Sequence, residues 1–95
     1  MPLLRNFRAR FGELDLVMRE GDTLVVVEVR SRAPTHYGAA AETIGPNKRA
    51  RIVRATKVLL AARPEFARLP VRFDVVAFDG DAAAPQWIRS AFDAC

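Results

Sequence analysis

Ninety-five residues, 51% hydrophobic against 27% charged, suit one small globular domain with a buried core and exclude an intrinsically disordered chain. No apolar run approaches the roughly 20 residues of a membrane span, Met1-Pro2-Leu3-Leu4-Arg5 is too short and too soon charged for a signal peptide, and Cys95 as sole cysteine supports neither a disulfide framework nor a structural zinc, so a cytoplasmic protein is expected. The net charge of +4 comes mostly from arginine, whose planar fork suits phosphate and so favours nucleic acid as partner, although a biased genome composition explains the arginine equally well.

Leu3 to Arg10, with Leu4 and Phe7 among Arg5, Arg8 and Arg10, has no sustained period and is read as a first strand. Glu13 to Arg19 alternates Leu14, Leu16 and Met18 with Glu13, Asp15 and Val17, the pattern of a half-buried strand. Glu20-Gly21-Asp22 is a tight turn, and Thr23 to Arg32 is a β-branched strand with Val25, Val27 and Val29 on one side and Leu24, Val26, Glu28 and Arg30 on the other. Ala33 to Ile44 reads as a loop, with a short helical turn expected near Ala39 to Glu42 and with His36 and Tyr37 assigned to loop packing. Gly45-Pro46 announces a helix to Ala62 whose apolar stripe is Ile52, Ala55, Thr56, Leu59 and Ala62, stopped by Pro64. Arg72 to Asp79 is a strand in which Asp74 is expected to make a structural hydrogen bond or ion pair. After a turn from Gly80 to Pro85, Gln86 to Ala91 is a last strand, with Trp87 and Phe92 expected in the core. The predicted order is β-β-β-α-β-β, in one domain over residues 1–95.

A two-residue turn at Gly21-Asp22 pairs Glu20 with Thr23 and brings Asp15 opposite Glu28 and Glu13 opposite Arg30. Leu14, Leu16 and Met18 then face Val29, Val27 and Val25 on the other side, a wholly apolar face expected to lie on the helix. A slip of one residue would mix the two faces. Two carboxylates directly opposite each other destabilise a sheet unless a positive charge lies between them, and Mg²⁺ or Mn²⁺ takes one or two carboxylates plus water and phosphate oxygens. A solvated charge ladder of Glu13, Arg30, Glu28 and Arg32, with Asp15 joining incidentally, explains the same pattern.

Arg5-Asn6-Phe7-Arg8, Gly12-Glu13-Leu14-Asp15-Leu16, Glu28-Val29-Arg30-Ser31-Arg32 and Arg72-Phe73-Asp74-Val75-Val76 closely resemble the YraN family of bacterial proteins. The resemblance covers nearly the whole chain and implies kinship with archaeal Holliday-junction resolvases. The implied fold is restriction-endonuclease-like: α/β, a mixed sheet of about five strands with a central hairpin packed by one main helix. The implied site is of the PD-(D/E)XK type. On this resemblance Asp15 is the first metal ligand, Glu28 the second and the Val29 carbonyl a third, while Arg30 falls where the family usually has lysine. Arg30 keeps the positive charge but cannot act as a base. Relatives usually begin with a further helix carrying another site carboxylate, and this chain starts just before the first strand, so the usual N-terminal helix is expected to be absent.

Lys48, Arg49, Arg51, Arg54 and Lys57 crowd the helix, and cations in its first turn oppose the macrodipole unless phosphate or acidic groups lie nearby. Arg8, Arg10 and Arg32 flank the hairpin motifs. Arg8, Arg10, Arg32, Lys48, Arg49 and Arg51 are therefore the candidate nucleic-acid contacts, with Lys48 leaning toward the site; a merely solvated helix face explains the helical ones equally well. The expected function is Mg²⁺- or Mn²⁺-dependent, endonuclease-like action on DNA phosphodiesters, with branched or damaged DNA as the implied substrate and Asp15, Glu28 and Arg30 as catalytic residues. The alternatives are a nucleic-acid-binding module of the same fold that cleaves weakly or not at all, and a structural protein whose basic faces bind other proteins. A small core lacking a helix leaves apolar sheet surface, so a homodimer is expected.

Overall fold

Alternation and β-branching build five strands in this computed structural model: β1 (Pro2–Ala9), β2 (Gly12–Glu20), β3 (Thr23–Arg32), β4 (Val71–Asp79) and β5 (Gln86–Phe92). The structure describes residues 2–10, 12–32, 44–79 and 85–93. Residues 33–43 of the loop expected from Ala33 to Ile44, with His36 and Tyr37, residues 80–84 of the turn expected from Gly80 to Pro85, and Cys95 lie outside the described residues. Helix α1 (Pro46–Ala62) follows Gly45, and Pro46 at its start lacks only an N–H that the first turn would leave without an intrahelical partner. Its end is closed by the Arg63 N–H, which donates to the Leu59 carbonyl at 2.9 Å. A single 3₁₀ turn (Pro64–Phe66), absent from the predicted elements, then carries buried Phe66 into the core.

The sheet order is β1-β2-β3-β4-β5, antiparallel throughout except for β3 and β4, which run parallel. A parallel pair needs a crossover, and α1 lies in that connection. The predicted order of elements holds, and a mixed five-stranded sheet with one main helix is consistent with the restriction-endonuclease-like α/β class. No described helix is long and apolar enough to cross a membrane.

The helix lies on the opposite side of the hairpin from the one expected. Ile52, Ala55 and Leu59 of α1 pack with Val17, Leu24, Val26, Phe73, Val75 and Ala77, whereas Leu16, Met18, Val27 and Val29 line a groove on the other side of the sheet. Val25-Val26-Val27 is apolar in both directions, so the hydrophobic alternation does not select a face. Leu14 reaches the core all the same, because β1 and β2 change phase together. Leu4 pairs with Val17 and Phe7 with Leu14, and all four belong to the core side although each pair is three residues from the next. Between them Asn6 takes a φ of 52°, a left-handed conformation that asparagine tolerates better than most residues, and strand alternation reverses there. Thr56 donates its hydroxyl to the Ile52 carbonyl at 2.8 Å, which satisfies that buried group; Ala62, expected in the apolar stripe, is exposed at the helix end.

Phe92 is in the core as expected, stacked on Phe73 with ring centroids 5.0 Å apart, but Trp87 is 48% exposed. Phe73 pairs with Phe92 and Val75 with Ile88, so β5 accommodates two extra residues around Ser90, whose φ is 50°, and Ile88 and Phe92 both stay on the core side. Trp87, one residue before Ile88, alternates to the other side and pairs with Val76. Trp87 thus stands on the groove side of the sheet, with its indole N–H donating to Asp74.

Candidate metal centre and basic cleft

The hairpin register is the one its turn dictates: Glu20 faces Thr23, and pairing continues through Leu16 and Val27. One step further, where Asp15 and Glu28 stand opposite each other, side chains replace the backbone ladder. The Asp15 N–H donates to Glu28 Oε2 at 3.2 Å, and the Val29 N–H donates to Asp15 Oδ2 at 2.9 Å. β2 continues its pairing with β1, and β3 its pairing with β4, so the hairpin opens into a fork closed by two interlocked carboxylates.

The two acids do not share one polar face as the simple alternation implies. Glu28 points toward α1 and is 1% exposed. Asp15 sits at the phase change of β2, lines the groove on the far side, and reaches Glu28 through the fork. Burial is the largest influence on Glu28 and raises its pKa; the Asp15 N–H opposes this, the Asp15 charge adds to it, and Lys48 and then Arg30 pull the pKa back down. A buried carboxylate that is costly to ionise, beside a second acid, is an arrangement common at functional sites.

Lys48, in the first turn of α1, places Nζ 3.7 Å from Glu28 Oε1. Arg30 lies on the Glu28 side of β3 by strand alternation and is half-buried. Lys48 leans toward the site as expected and is an ion-pair partner of Glu28, contributed by the helix rather than by the hairpin. Among the described residues no group of three or more His, Cys, Asp or Glu converges on one point. Two carboxylates with lone pairs remaining suit Mg²⁺ or Mn²⁺, which are held by one or two carboxylates and complete their shells with water and substrate oxygens.

Beside this centre a cleft of about 530 Å³ runs between the β1–β2 turn and α1, lined by Arg8, Arg10, Glu13, Lys48 and Arg51. Its walls approach closely at Gly12, where a Cβ would lie 2.6 Å from the Arg51 carbonyl oxygen. Spacing did not single out Gly12 as functional; a glycine opening a strand without a turn that needs it was the available signal. Arg8 pairs with Glu13 at 3.7 Å on the exposed rim. Four of the six predicted phosphate contacts, Arg8, Arg10, Lys48 and Arg51, are thereby brought together. Arg49 is not: its Nε donates to the Ile44 carbonyl at 2.9 Å, and its guanidinium lies over Phe92 on the other flank of α1. Arg32 ends β3 opposite Asp79, and its side chain is outside the described residues.

Asp74 is structural, as expected. Fully buried, it accepts from Arg72 Nε and Nη2 at 2.9 and 3.0 Å, from Trp87 Nε1 at 2.9 Å and from the Ser90 N–H at 3.0 Å. Burial alone would raise its pKa, but the bonds from Arg72, Trp87 and Ser90 hold it below the usual value. Arg72 also reaches Glu20 at 3.2 Å, which ties the hairpin turn to β4.

Comparison with known sequences adds the following. The model of a family described as "Uncharacterised protein family UPF0102" matches residues 2–78. A UPF0102 protein of Bordetella parapertussis is 53% identical over 95 residues, covering 96% of this chain and 52% of the relative. One from Bordetella petrii is 50% identical over 99 residues, covering 97% and 58%, and one from Ectopseudomonas mendocina is 46% identical over 91 residues, covering 95% and 76%. The chain thus spans little more than half the length of the Bordetella relatives.

Proposed function

The chain belongs to the uncharacterised UPF0102 family, which is the YraN family, and on that premise we propose that it is a divalent-metal-dependent, endonuclease-like protein acting on DNA phosphodiesters in the cytoplasm. The observation that supports this reading is the fork. Glu28 accepts from the Asp15 N–H and Asp15 accepts from the Val29 N–H at the point where two strands part, and Glu28 is buried against a lysine. Asp15 and Glu28 would hold Mg²⁺ or Mn²⁺, with the Val29 carbonyl as third ligand. The chemistry such an ion would supply there is polarisation of the scissile phosphate and activation of the attacking water. Arg30 would stabilise charge developing on the phosphate rather than act as a base. The basic cleft favours contact with the phosphate backbone over reading of base edges, so selection by DNA shape, with branched or damaged DNA as substrate, fits better than selection by sequence.

Incubation with branched and linear duplex DNA in Mn²⁺ or Mg²⁺ tests this. Cleavage is expected that chelation stops and that Asp15→Ala and Glu28→Ala each abolish. Salt-sensitive binding without metal-dependent cleavage would instead give the second reading, a binding module of the same fold. That reading is favoured by the presence of only two converging carboxylates among the described residues.

A further inference from the structure

Glu28 and the basic cleft have one residue in common. Lys48 is an ion-pair partner of Glu28 and, at the same time, part of the wall that carries Arg8, Arg10 and Arg51. Its contact with Glu28 is loose for a charge-assisted pair at 3.7 Å, and its side chain is 36% exposed, whereas that of Glu28 is 1% exposed. A lysine ammonium on a flexible four-carbon stem can turn from one acceptor to another without moving the helix; a guanidinium fixed in a bidentate pair cannot do so as easily. A divalent cation held by Asp15 and Glu28 would lie within a few ångströms of that ammonium and repel it. The acceptors open to a released Lys48 are then those of the cleft, the rim carboxylate of Glu13 and any anion bound among Arg8, Arg10 and Arg51.

We propose that the cleft lined by Arg8, Arg10, Lys48 and Arg51 is the phosphate-backbone subsite of the Asp15–Glu28 centre, and that Lys48 couples the two by exchanging Glu28 for a backbone phosphate when a cation loads. This rests on the reading of Asp15 and Glu28 as metal ligands. Its consequence is reciprocal: a cation on Glu28 frees Lys48 for phosphate, and a phosphate that draws Lys48 away removes the cation's competitor. Cation and polyanion bind with positive coupling before any bond is cleaved. Lys48 is thus a positioning residue, and Arg51, which lines the cleft, contributes to phosphate affinity alone.

The experiment is calorimetric titration of the whole chain at pH 8 with CaCl₂ or MnCl₂, and with a short single-stranded oligodeoxynucleotide, each with and without the other, in wild type, Lys48→Met and Arg51→Met. In wild type the oligonucleotide is expected to tighten cation binding roughly five- to tenfold, and the cation to tighten oligonucleotide binding by the same factor. Lys48→Met is expected to bind the cation alone more tightly than wild type, to lose the coupling, and to lower the salt slope of oligonucleotide binding by about one. Arg51→Met should lower that slope by about one and keep both the coupling and the cation affinity. Unchanged coupling in Lys48→Met, or cation binding no tighter than wild type, overturns the exchange while leaving the metal centre standing. A wild type that binds no cation overturns the metal reading and the exchange with it.

Discussion

At the scale of single residues the most informative group is Glu28, because its burial and its neighbours pull in opposite directions. Its carboxyl titrates above the ordinary value of 4.5, with burial as the largest cause. Below that value Glu28 is protonated in both folded and unfolded chains and contributes no penalty; between it and the raised folded-state pKa the unfolded chain ionises while the folded one does not, so stability falls as pH rises and levels off once both are ionised. Glu28→Gln removes that penalty and keeps an oxygen for the Asp15 N–H. In metal-free buffer at pH 7 the variant is therefore expected to melt above wild type, by roughly 4–8 °C for each kcal/mol relieved, and the gap should close as pH falls toward 4.5. Mn²⁺ should raise the melting temperature of wild type and leave that of Glu28→Gln in place. Thermal melts at a series of pH values, with and without the ion, decide it. A variant that melts lower than wild type at pH 7 would mean that Lys48 and Arg30 more than offset the burial of the charge. Asp74 shows the contrast: equally buried, it is surrounded by donors that lower its pKa, and so it serves as a pin between β4 and β5 rather than as a site.

Among the elements, the β2–β3 hairpin was the most legible in sequence and the least predictable in orientation. Its register follows from Glu20-Gly21-Asp22 and a period of two, and these suffice to set Asp15 against Glu28. Which face meets the helix was not legible, because Val25, Val26 and Val27 are equally apolar in both directions. The sign of the reversal in β1 and β2 was a single asparagine at position 6. Trp87 misled for a different reason: a large aromatic residue usually signals core, but pairing with Val76 puts it on the groove side, where Asp74 accepts from its indole. The role of Lys48 depends on how α1 crosses the sheet, which no local pattern encodes. That crossing is set in part by Gly12, and Gly12→Ala is expected to force the helix away from β2, since the new methyl would meet the Arg51 carbonyl oxygen at 2.6 Å. The clash is with backbone, not with a side chain that can swing aside, so a loss of about 1–3 kcal/mol is expected in denaturant unfolding, together with weaker oligonucleotide binding through displaced Lys48 and Arg51. An unchanged unfolding midpoint would show that α1 slides freely on this face.

For the molecule as a whole, the side of the sheet opposite α1 decides how the protein presents its site. Leu16, Met18, Val27, Val76, Phe78 and Trp87 line a groove there, with Val29, Phe78 and Trp87 between 43 and 48% exposed. A parallel strand pair such as β3 and β4 is normally covered on both faces, and among the described residues the helix and the 3₁₀ turn bury their side chains on the other one. A second copy of the chain is the occupant we propose, as an isologous dimer in which each groove covers the other. Because Asp15 lines the same groove, such a dimer would close the far side of the fork and leave the cleft of Arg8, Arg10, Lys48 and Arg51 as the approach for nucleic acid. Light scattering over a range of concentrations is expected to show dimer giving way to monomer on dilution, and Phe78→Asp to shift the balance toward monomer, since a charge in an apolar interface is left without a partner. Wild type that stays monomeric at its highest soluble concentration would sink the dimer and leave the groove as surface for some other chain.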